Sequence, residues 1–407
     1  MKTGLLGRKL GHSYSPQIHA YLGDYSYALF EREPEDVESF LKTGDFSAIN
    51  VTIPYKKTVM PYCTLTETAK YMGSVNTIVR QSDGTLLGHN TDYFGFTSMV
   101  HKTGLDVKGK KSLVLGSGGA SVTAVAVLKE MGANVIVISR SGEDNYENLH
   151  RHADAAVICN CTPVGMYPNN GVSPIDLNLF PKLEGVLDMI YNPARTKLLM
   201  DAAQRGLIAE NGLWMLVAQA KEAAEWFLNK KLPDELIRFV YDKMRQQMEN
   251  IILIGMPGCG KSTVGQKLAE TLGKTFVDAD TELVKHFGTD IPAIFAAEGE
   301  AGFRAKETAI LEMLGKKAGL VLATGGGCIT RAENYPLLHQ NGTIFRLTRD
   351  LGKLPADGRP LSQVTKMEDM YRIRRPLYEA FADHTVSNDG NIDATVAEIL
   401  ANWEDPR

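Results

Sequence analysis

Hydrophobic positions gather into two strand-like runs that each break into a glycine-rich turn: SLVL before GSGGAS from Ser112, and IILI before GMPGCGKST from Ile251. Beyond each turn the spacing becomes helical, in TAVAVLKEMG after the first and VGQKLAETLG after the second. Strand, glycine turn and helix in that order open an α/β unit, so the pattern predicts two of them. Between them, KEAAEWFLNKKLPDELIRFVYDKMRQQMEN reads as charged helix interrupted near Pro233 and ending just before the second run. The division is therefore expected near Met248 with almost no linker, giving regions 1–248 and 249–407. The first glycine turn comes only after about a hundred residues of other material, so the first region divides again. A split α/β substrate domain, residues 1–100 and 210–248, is expected around a Rossmann domain at 101–209, followed by a P-loop domain.

At 407 residues the chain exceeds what one core serves, which agrees with several domains. Its 44% hydrophobic and 23% charged residues are ordinary for globular protein, and no apolar run is long enough to span a membrane. Residues 1–11 lack the apolar stretch and cleavage site of a signal peptide, so a cytoplasmic protein without membrane partners is expected. A net charge of −4 gives no general attraction to nucleic acid, which leaves small anionic ligands held by local clusters. The five cysteines form no disulfide framework or zinc pattern, and Cys159 and Cys161 read as reduced, packed thiols.

In LVLGSGGASVTAVAVLKEMGANVIVISR, Gly116, Gly118 and Gly119 would let a pyrophosphate approach a helix amino terminus, with Ser117 and Ala120 in the same turn. An acidic residue at the end of the second strand would select NAD; here Ser139 and Arg140 stand there, which favours the 2′-phosphate of NADP.

The segments GHSYSPQIH, NVTIPYKK, GSVNT, GHNTDYFGF, the glycine turn, CNCTPVGM and MLVAQA, in that order, resemble shikimate dehydrogenases over nearly all of residues 1–248. The resemblance implies NADPH-dependent reduction of 3-dehydroshikimate to shikimate, with Lys56 and Asp92 as the catalytic pair. Reducing a ketone needs a proton source at the carbonyl oxygen, a role an ammonium oriented by a carboxylate can fill. Lys57 adjoins Lys56, but neighbours on an extended segment point to opposite sides, so one is expected to face the substrate. Ser13, Ser15, Thr52, Asn76 and Gln219 match the family's positions for the substrate's polar groups. The chain departs from the pattern in having Leu187 before Asp188, where many members have tyrosine. It also has Glu143 and Asp144, with no second basic residue, after Arg140. Preference for quinate or NAD stays open as an alternative.

In the second region, Gly255 to Ser262 satisfies the Walker A pattern between a strand and a helix. Backbone groups of Gly258, Cys259 and Gly260 would cradle ATP phosphates, with Lys261 reaching the β and γ groups, Ser262 ligating Mg2+ and Thr263 beside it. Asp278 and Asp280 are two apart and are expected to share one face of a strand beside that loop.

With FAAEGEAGFRAKE, LATGGGCI, DGRPL and IRRPLYEAFAD, these residues resemble shikimate kinases over nearly all of residues 250–390. The resemblance implies that Asp280 takes the acceptor hydroxyl, Asp278 supports magnesium, and Arg304 and Arg374 bind the carboxylate, with Arg375 adjacent to the second. It also implies that Arg359 is a lid arginine and that Gly325 to Gly327, centred on Gly326, form a backbone-lined wall. FRLTRDLGKLPADGRPL is shorter than the family's helix and lid. Together the resemblances imply two successive reactions on one small-molecule series, with no nucleic-acid or membrane partner and with homo-oligomerisation left open.

Overall fold

The computed structural model describes residues 1–11, 13–354 and 367–404. The chain forms two compact units: Met1–Met166, Val172–Tyr191 and Leu198–Met244 in one, and Tyr167–Gly171, Asn192–Lys197 and Arg245–Arg407 in the other.

The first unit holds two sheets. In one, β1 (Lys2–Gly7), β2 (Ser26–Glu31), β3 (Ala48–Val51), β4 (Thr64–Leu65), β5 (Thr77–Arg80) and β6 (Leu86–His89) lie in the order β2-β1-β3-β5-β6-β4. The β1 pairings with β2 and β3 are parallel, whereas β5 runs antiparallel to both of its neighbours. The other sheet comprises β7 (Lys111–Leu115), β8 (Asn134–Ile138), β9 (Val157–Asn160), β10 (Gly185–Asp188) and β11 (Ile208–Glu210), in the order β11-β10-β9-β7-β8, all parallel. Its direction of winding reverses at β7, the place where a doubly wound Rossmann-like sheet opens a crevice for a nucleotide.

Helices Asp92–Thr103 and Leu213–Leu228 belong to this unit. They approach closely because Gly95 has no side chain; a Cβ there would stand 2.8 Å from the Met215 carbonyl oxygen. The contact carries Asp92 at one helix start toward Gln219 in the other.

The second unit is one parallel sheet of β12 (Asn250–Ile254), β13 (Thr275–Asp278), β14 (Leu320–Ala323), β15 (Gly342–Thr348) and β16 (His384–Ser387), in the order β13-β14-β12-β15-β16. Central β12 is buried on both faces, with Ile251 to Ile254 at 0% exposure, which is why it reads as an unbroken apolar run. Each such aliphatic side chain contributes about 1.5–3 kcal/mol by leaving water. The chain leaves β12 into the loop Gly255–Gly260 and then helix Lys261–Leu272, again at the reversal of strand order.

Candidate active sites

In the first unit a cavity of about 370 Å³ is lined by residues of the first sheet and the turns after it, by Ala120 and the stretch following β10, and by helix Leu213–Leu228. Ser13 and Ser15 follow β1, Asn50 and Thr52 lie at the end of β3, and Lys56 sits in the turn beyond. Residues 53–59 are turn and not extended chain, so the expected alternation of Lys56 and Lys57 does not apply. The turn itself leaves Lys57 exposed and Lys56 half-buried in the cavity wall.

Lys56 Nζ donates to Asp92 Oδ2 at 2.7 Å, and Asn76 Nδ2 donates to Asp92 Oδ1 at 2.9 Å. Asp92 opens its helix, and its amide donates to Asn90 Oδ1 at 3.0 Å, so the carboxylate stands at a helix amino terminus that favours its charge. Thr91 links this group to Gln219, its hydroxyl donating to Gln219 Oε1 at 3.3 Å. Every proposed substrate residue of this half lines the one cavity, as does Ala120 from the glycine turn. The dinucleotide loop therefore reaches the cavity that holds Lys56.

Gly116 has φ +101°, while a Cβ at Gly118 or Gly119 would meet nothing within 4 Å, leaving open backbone at the start of helix Gly119–Glu130. Ser117 is also exposed. This open helix terminus fits a pyrophosphate. Arg140 is exposed at the end of β8, and the Ser139 amide is tied to the Asp144 carbonyl at 3.2 Å. The Asp144 carboxylate is engaged by His152 Nε2 at 2.8 Å, so it does not stand as a free anion beside Arg140.

Two residues escaped the sequence reading. Leu187 is fully buried in β10, and Tyr191, four residues later, lines the cavity wall. Asn50 also lines the cavity, although NVTIPYKK was read for its threonine and lysine. Asp188 is structural: its Oδ1 accepts from Asn160 Nδ2 and from the Ile190 amide, each at 3.0 Å. Cys159 is buried and its sulfur lies 3.7 Å from that of Cys161, both free thiols.

In the second unit Gly258 and Gly260 adopt φ +82° and +99°, the left-handed conformations that shape the loop, with Cys259 buried between them. Lys261 is 9% exposed and its Nζ donates to the Gly255 and Met256 carbonyls at 2.9 and 3.2 Å, folded along its own loop. Thr263 follows in the first helical turn and is exposed. Ser262 Oγ donates to Asp278 Oδ2 at 2.8 Å. This hydroxyl–carboxylate pair of hard oxygen donors fits Mg2+.

The expected strand face shared by Asp278 and Asp280 does not exist. Asp278 ends β13 and caps helix Ala279–Phe287, its Oδ1 accepting from the Asp280 and Thr281 amides at 3.1 and 3.2 Å. Asp280 is in the first turn of that helix. A side-chain oxygen capping the orphan amides outcompetes strand continuation here.

Asp280 faces the glycine wall. A Cβ on Gly325 would lie 2.9 Å from Asp280 Oδ1 and 2.5 Å from Glu307 Oε1, and one on Gly327 would lie 2.1 Å from the Arg304 guanidinium. On Gly326 it would strike Pro257 at 2.8 Å. Arg304 Nη1 donates to Glu307 Oε2 at 2.7 Å; burial works against its charge, but Glu307 and Glu300 more than offset this and hold its pKa above the usual value. Burial raises the Glu307 pKa, with Arg304 opposing and Asp280 reinforcing the shift. Neither Glu307 nor Tyr378 was anticipated, although EGEAGFRAKE contains the first. Tyr378 and Arg374 both donate to the Gly326 carbonyl, Arg374 at 3.2 Å. Arg375 is instead exposed and paired with Glu379 at 2.9 Å. Arg359 and the rest of residues 355–366 lie outside the described residues.

The family model for the shikimate dehydrogenase substrate binding domain matches residues 5–78, and that for shikimate kinase matches residues 257–404. A shikimate dehydrogenase (NADP(+)) of Clostridium perfringens strain SM101 is 35% identical over 266 residues, covering 60% of this chain and 97% of that protein. Shikimate dehydrogenase 1 from Peptoclostridium difficile aligns with TM-score 0.55 at 36% identity, covering 60% of this chain and 98% of its own. A chorismate mutase/shikimate 5-dehydrogenase fusion protein from Clostridium acetobutylicum aligns with TM-score 0.57 at 35% identity over 60% of this chain and 96% of its own. A shikimate 5-dehydrogenase from Thermus thermophilus, in complex with NADP(H) and shikimate, gives 0.55 at 28% identity over 60% and 99%.

Proposed function

With a chain that belongs to the shikimate dehydrogenase family and carries a shikimate kinase domain after it, we propose which residues perform each of its two reactions. The protein reduces 3-dehydroshikimate to shikimate with NADPH, then phosphorylates shikimate to shikimate 3-phosphate with ATP and Mg2+.

For the reduction, the observation that carries the assignment is the 2.7 Å contact of Lys56 with Asp92 inside a cavity that Ala120 of the dinucleotide loop also lines. When bound, NADPH supplies the hydride. Lys56 Nζ hydrogen-bonds the ketone oxygen, stabilises its developing negative charge and delivers the proton, while Asp92 holds the ammonium in place. Asn76 fixes Asp92, and Ser13, Ser15, Thr52, Asn76 and Gln219 take the carboxylate and ring hydroxyls. Gly116 to Ala120 hold the pyrophosphate, and Ser139 and Arg140 hold the 2′-phosphate. At that strand end Asp144 is engaged by His152, and Glu143 stays exposed beside it.

For the phosphoryl transfer, the Ser262–Asp278 contact at 2.8 Å beside the P-loop carries the assignment. Gly258 to Thr263 bind the nucleotide phosphates, Lys261 turns from its loop carbonyls to the β and γ groups, and Ser262 and Asp278 hold the metal. Asp280 accepts the proton of the acceptor hydroxyl, and Arg304 and Arg374 clamp the carboxylate across the wall at Gly326. Arg359 stands as the lid arginine on sequence grounds alone.

Residues 1–248 and 249–407 are the corresponding enzymes, the first divided into substrate domain 1–100 plus 210–248 and Rossmann domain 101–209. The ligands are small molecules, and no helix among the described residues is long and apolar enough to cross a membrane. Incubating the full chain with 3-dehydroshikimate, NADPH, ATP and magnesium tests both halves. Shikimate 3-phosphate is the expected product, and accumulation of shikimate would overturn the kinase assignment.

A further inference from the structure

The Walker A loop of the second unit is gripped by a side chain that belongs neither to the loop nor to the helix it opens. Asn388 follows β16 and is half-buried, and its backbone amide donates to the Thr348 carbonyl at 2.8 Å, so the end of β15 fixes its place. Its Nδ2 donates to the Cys259 carbonyl at 2.8 Å, and its Oδ1 accepts from the Thr395 hydroxyl at 3.1 Å. A carbonyl oxygen can only accept, so the contact with Cys259 sets which way round the amide lies. The same nitrogen packs on the loop backbone, where a Cβ on Gly260 would lie 2.3 Å from it. Gly260 is therefore glycine for two reasons, its φ of +99° and the Asn388 amide beside it.

The consequence for the loop follows from the peptide group. A trans peptide is planar, and its carbonyl and its N–H point in opposite directions. With the Cys259 carbonyl bonded to Asn388, the Gly260 N–H is directed away from Asn388. Reversing that peptide would carry the carbonyl to the side the N–H now faces, exchanging a donor for an acceptor. Cys259 is held on its other sides as well: its side chain is fully buried and its amide donates to the Met256 carbonyl at 3.2 Å. Asn388 fixes the carbonyl side.

Building on the assignment of Gly258 to Thr263 to the nucleotide phosphates, we propose that Asn388 is a positioning residue of the kinase site, its amide holding the Cys259–Gly260 peptide so that the Gly260 N–H is aimed at the β-phosphate before nucleotide arrives. Gly260 immediately precedes Lys261, whose ammonium serves the same end of the nucleotide. A loop that is free to turn must be ordered on binding, whereas one already held is not, so the gain appears in nucleotide affinity. The acceptor side has its own partners, Arg304 on Glu307 and Arg374 on the Gly326 carbonyl, so shikimate binding is not affected. When the Asn388 amide is removed, its backbone still donates to Thr348, the Thr395 hydroxyl keeps the Ser387 carbonyl at 3.1 Å and Cys259 stays buried, so the fold survives.

The test is binding of ADP with Mg2+ to the full-length chain by titration calorimetry, beside the kinetics of shikimate phosphorylation. Asn388→Ala should weaken ADP binding and raise the ATP KM about five- to twentyfold, the scale of a weakened hydrogen bond to a charged group, with the shikimate KM within about twofold and kcat within about threefold of the parent. AMP, which has no β-phosphate, should bind parent and variant equally. Asn388→Asp keeps the size and the Thr395 contact but sets an oxygen against the Cys259 carbonyl, so it should lose at least as much ADP affinity as the alanine variant. The dehydrogenase rate and melting curve of each variant report whether the chain is intact. ADP affinity near the parent's in either variant, or an equal loss for ADP and AMP, would overturn the proposal, the second by moving the effect off the β-phosphate. A lower Tm at the parent's ADP affinity would overturn it too, by making the role structural. A parent chain that binds no ADP would overturn the nucleotide assignment itself.

Discussion

Lys56 can serve as an acid only while it is aimed at the substrate, and the 2.7 Å bond to Asp92 and the 2.9 Å bond from Asn76 to Asp92 hold it in place. Lys56→Ala should lower dehydrogenase turnover by about two to four orders of magnitude and leave NADPH affinity within about twofold. Turnover near the parent's, measured at saturating substrate, would remove Lys56 from the mechanism. Arg140 stands exposed at the end of β8, so Arg140→Asp exchanges attraction for repulsion at the 2′-phosphate without disturbing a core. Its KM for NADPH should rise far more than that for NADH; equal losses would place the phosphate elsewhere. Single residues differ in how far sequence reveals them. Lys56, Asp92, Asn76 and Gln219 carry distinctive side chains within recognisable segments, and all line one cavity. Tyr191 lies outside the recognisable segments, since the cavity is reached only after the chain has left β10.

At the scale of elements, the glycine turns and their flanking strands were legible because a buried parallel strand must be apolar throughout and a phosphate loop must be glycine-rich. What failed was the local conformation of the polar segments. Lys56 and Lys57 lie in a turn over residues 53–59 and not on extended chain, and at the Asp278–Asp280 corner capping bonds override strand propensity. The same corner strand presents a titration that can be measured. Lys274, just before β13, donates to the Gln246 and Glu249 carbonyls at 2.7 and 3.0 Å and lies 5.3 Å from the Trp403 ring centre. Burial pushes its ammonium down to about 8, Glu249 partly opposing. The folded protein therefore releases this proton before the unfolded chain does. The resulting penalty is fully present below about pH 8 and is relieved as pH rises toward the ordinary lysine value of 10.5. The stability of the parent relative to Lys274→Met, measured by urea unfolding, should increase across that interval. A flat or falling difference would mean that the lysine is charged in the fold throughout.

For the whole molecule, each proposed catalytic set is closed within one compact unit: Lys56, Asp92 and the Gly116 turn in the first, Lys261, Asp278, Asp280, Arg304 and Arg374 in the second. Lys261→Ala should therefore abolish kinase activity with dehydrogenase activity near the parent's, and Lys56→Ala should do the reverse. The compact units divide between Met244 and Arg245, inside helix Glu235–Met248 and one turn before the glycine-loop strand. That turn has a physical consequence. Glu249 is 6% exposed, and its carboxylate accepts from Arg245 at 2.7 Å, the Thr343 hydroxyl at 2.7 Å and the Trp403 indole at 3.2 Å. Arg245 also reaches the Trp403 carbonyl at 3.1 Å, tying the helix end to the last helix of the second unit. A kinase fragment beginning at Glu249 keeps every proposed catalytic residue but loses Arg245, whereas one beginning at Glu235 keeps both. Neither contains residues 167–171 or 192–197, so the pair isolates the effect of the helix. The shorter fragment should be less stable by about 2 kcal/mol, the scale of a hydrogen bond to a buried charge, and should melt roughly 4–8 °C lower. Both should phosphorylate shikimate with similar kcat below their melting points, because the helix supports the fold and not the chemistry. Equal melting temperatures would show that Glu249 is satisfied without Arg245. A folded but inactive fragment that recovers its rate on mixing with residues 1–248 would show that the kinase site needs the other unit, and the division into two self-sufficient enzymes would fall.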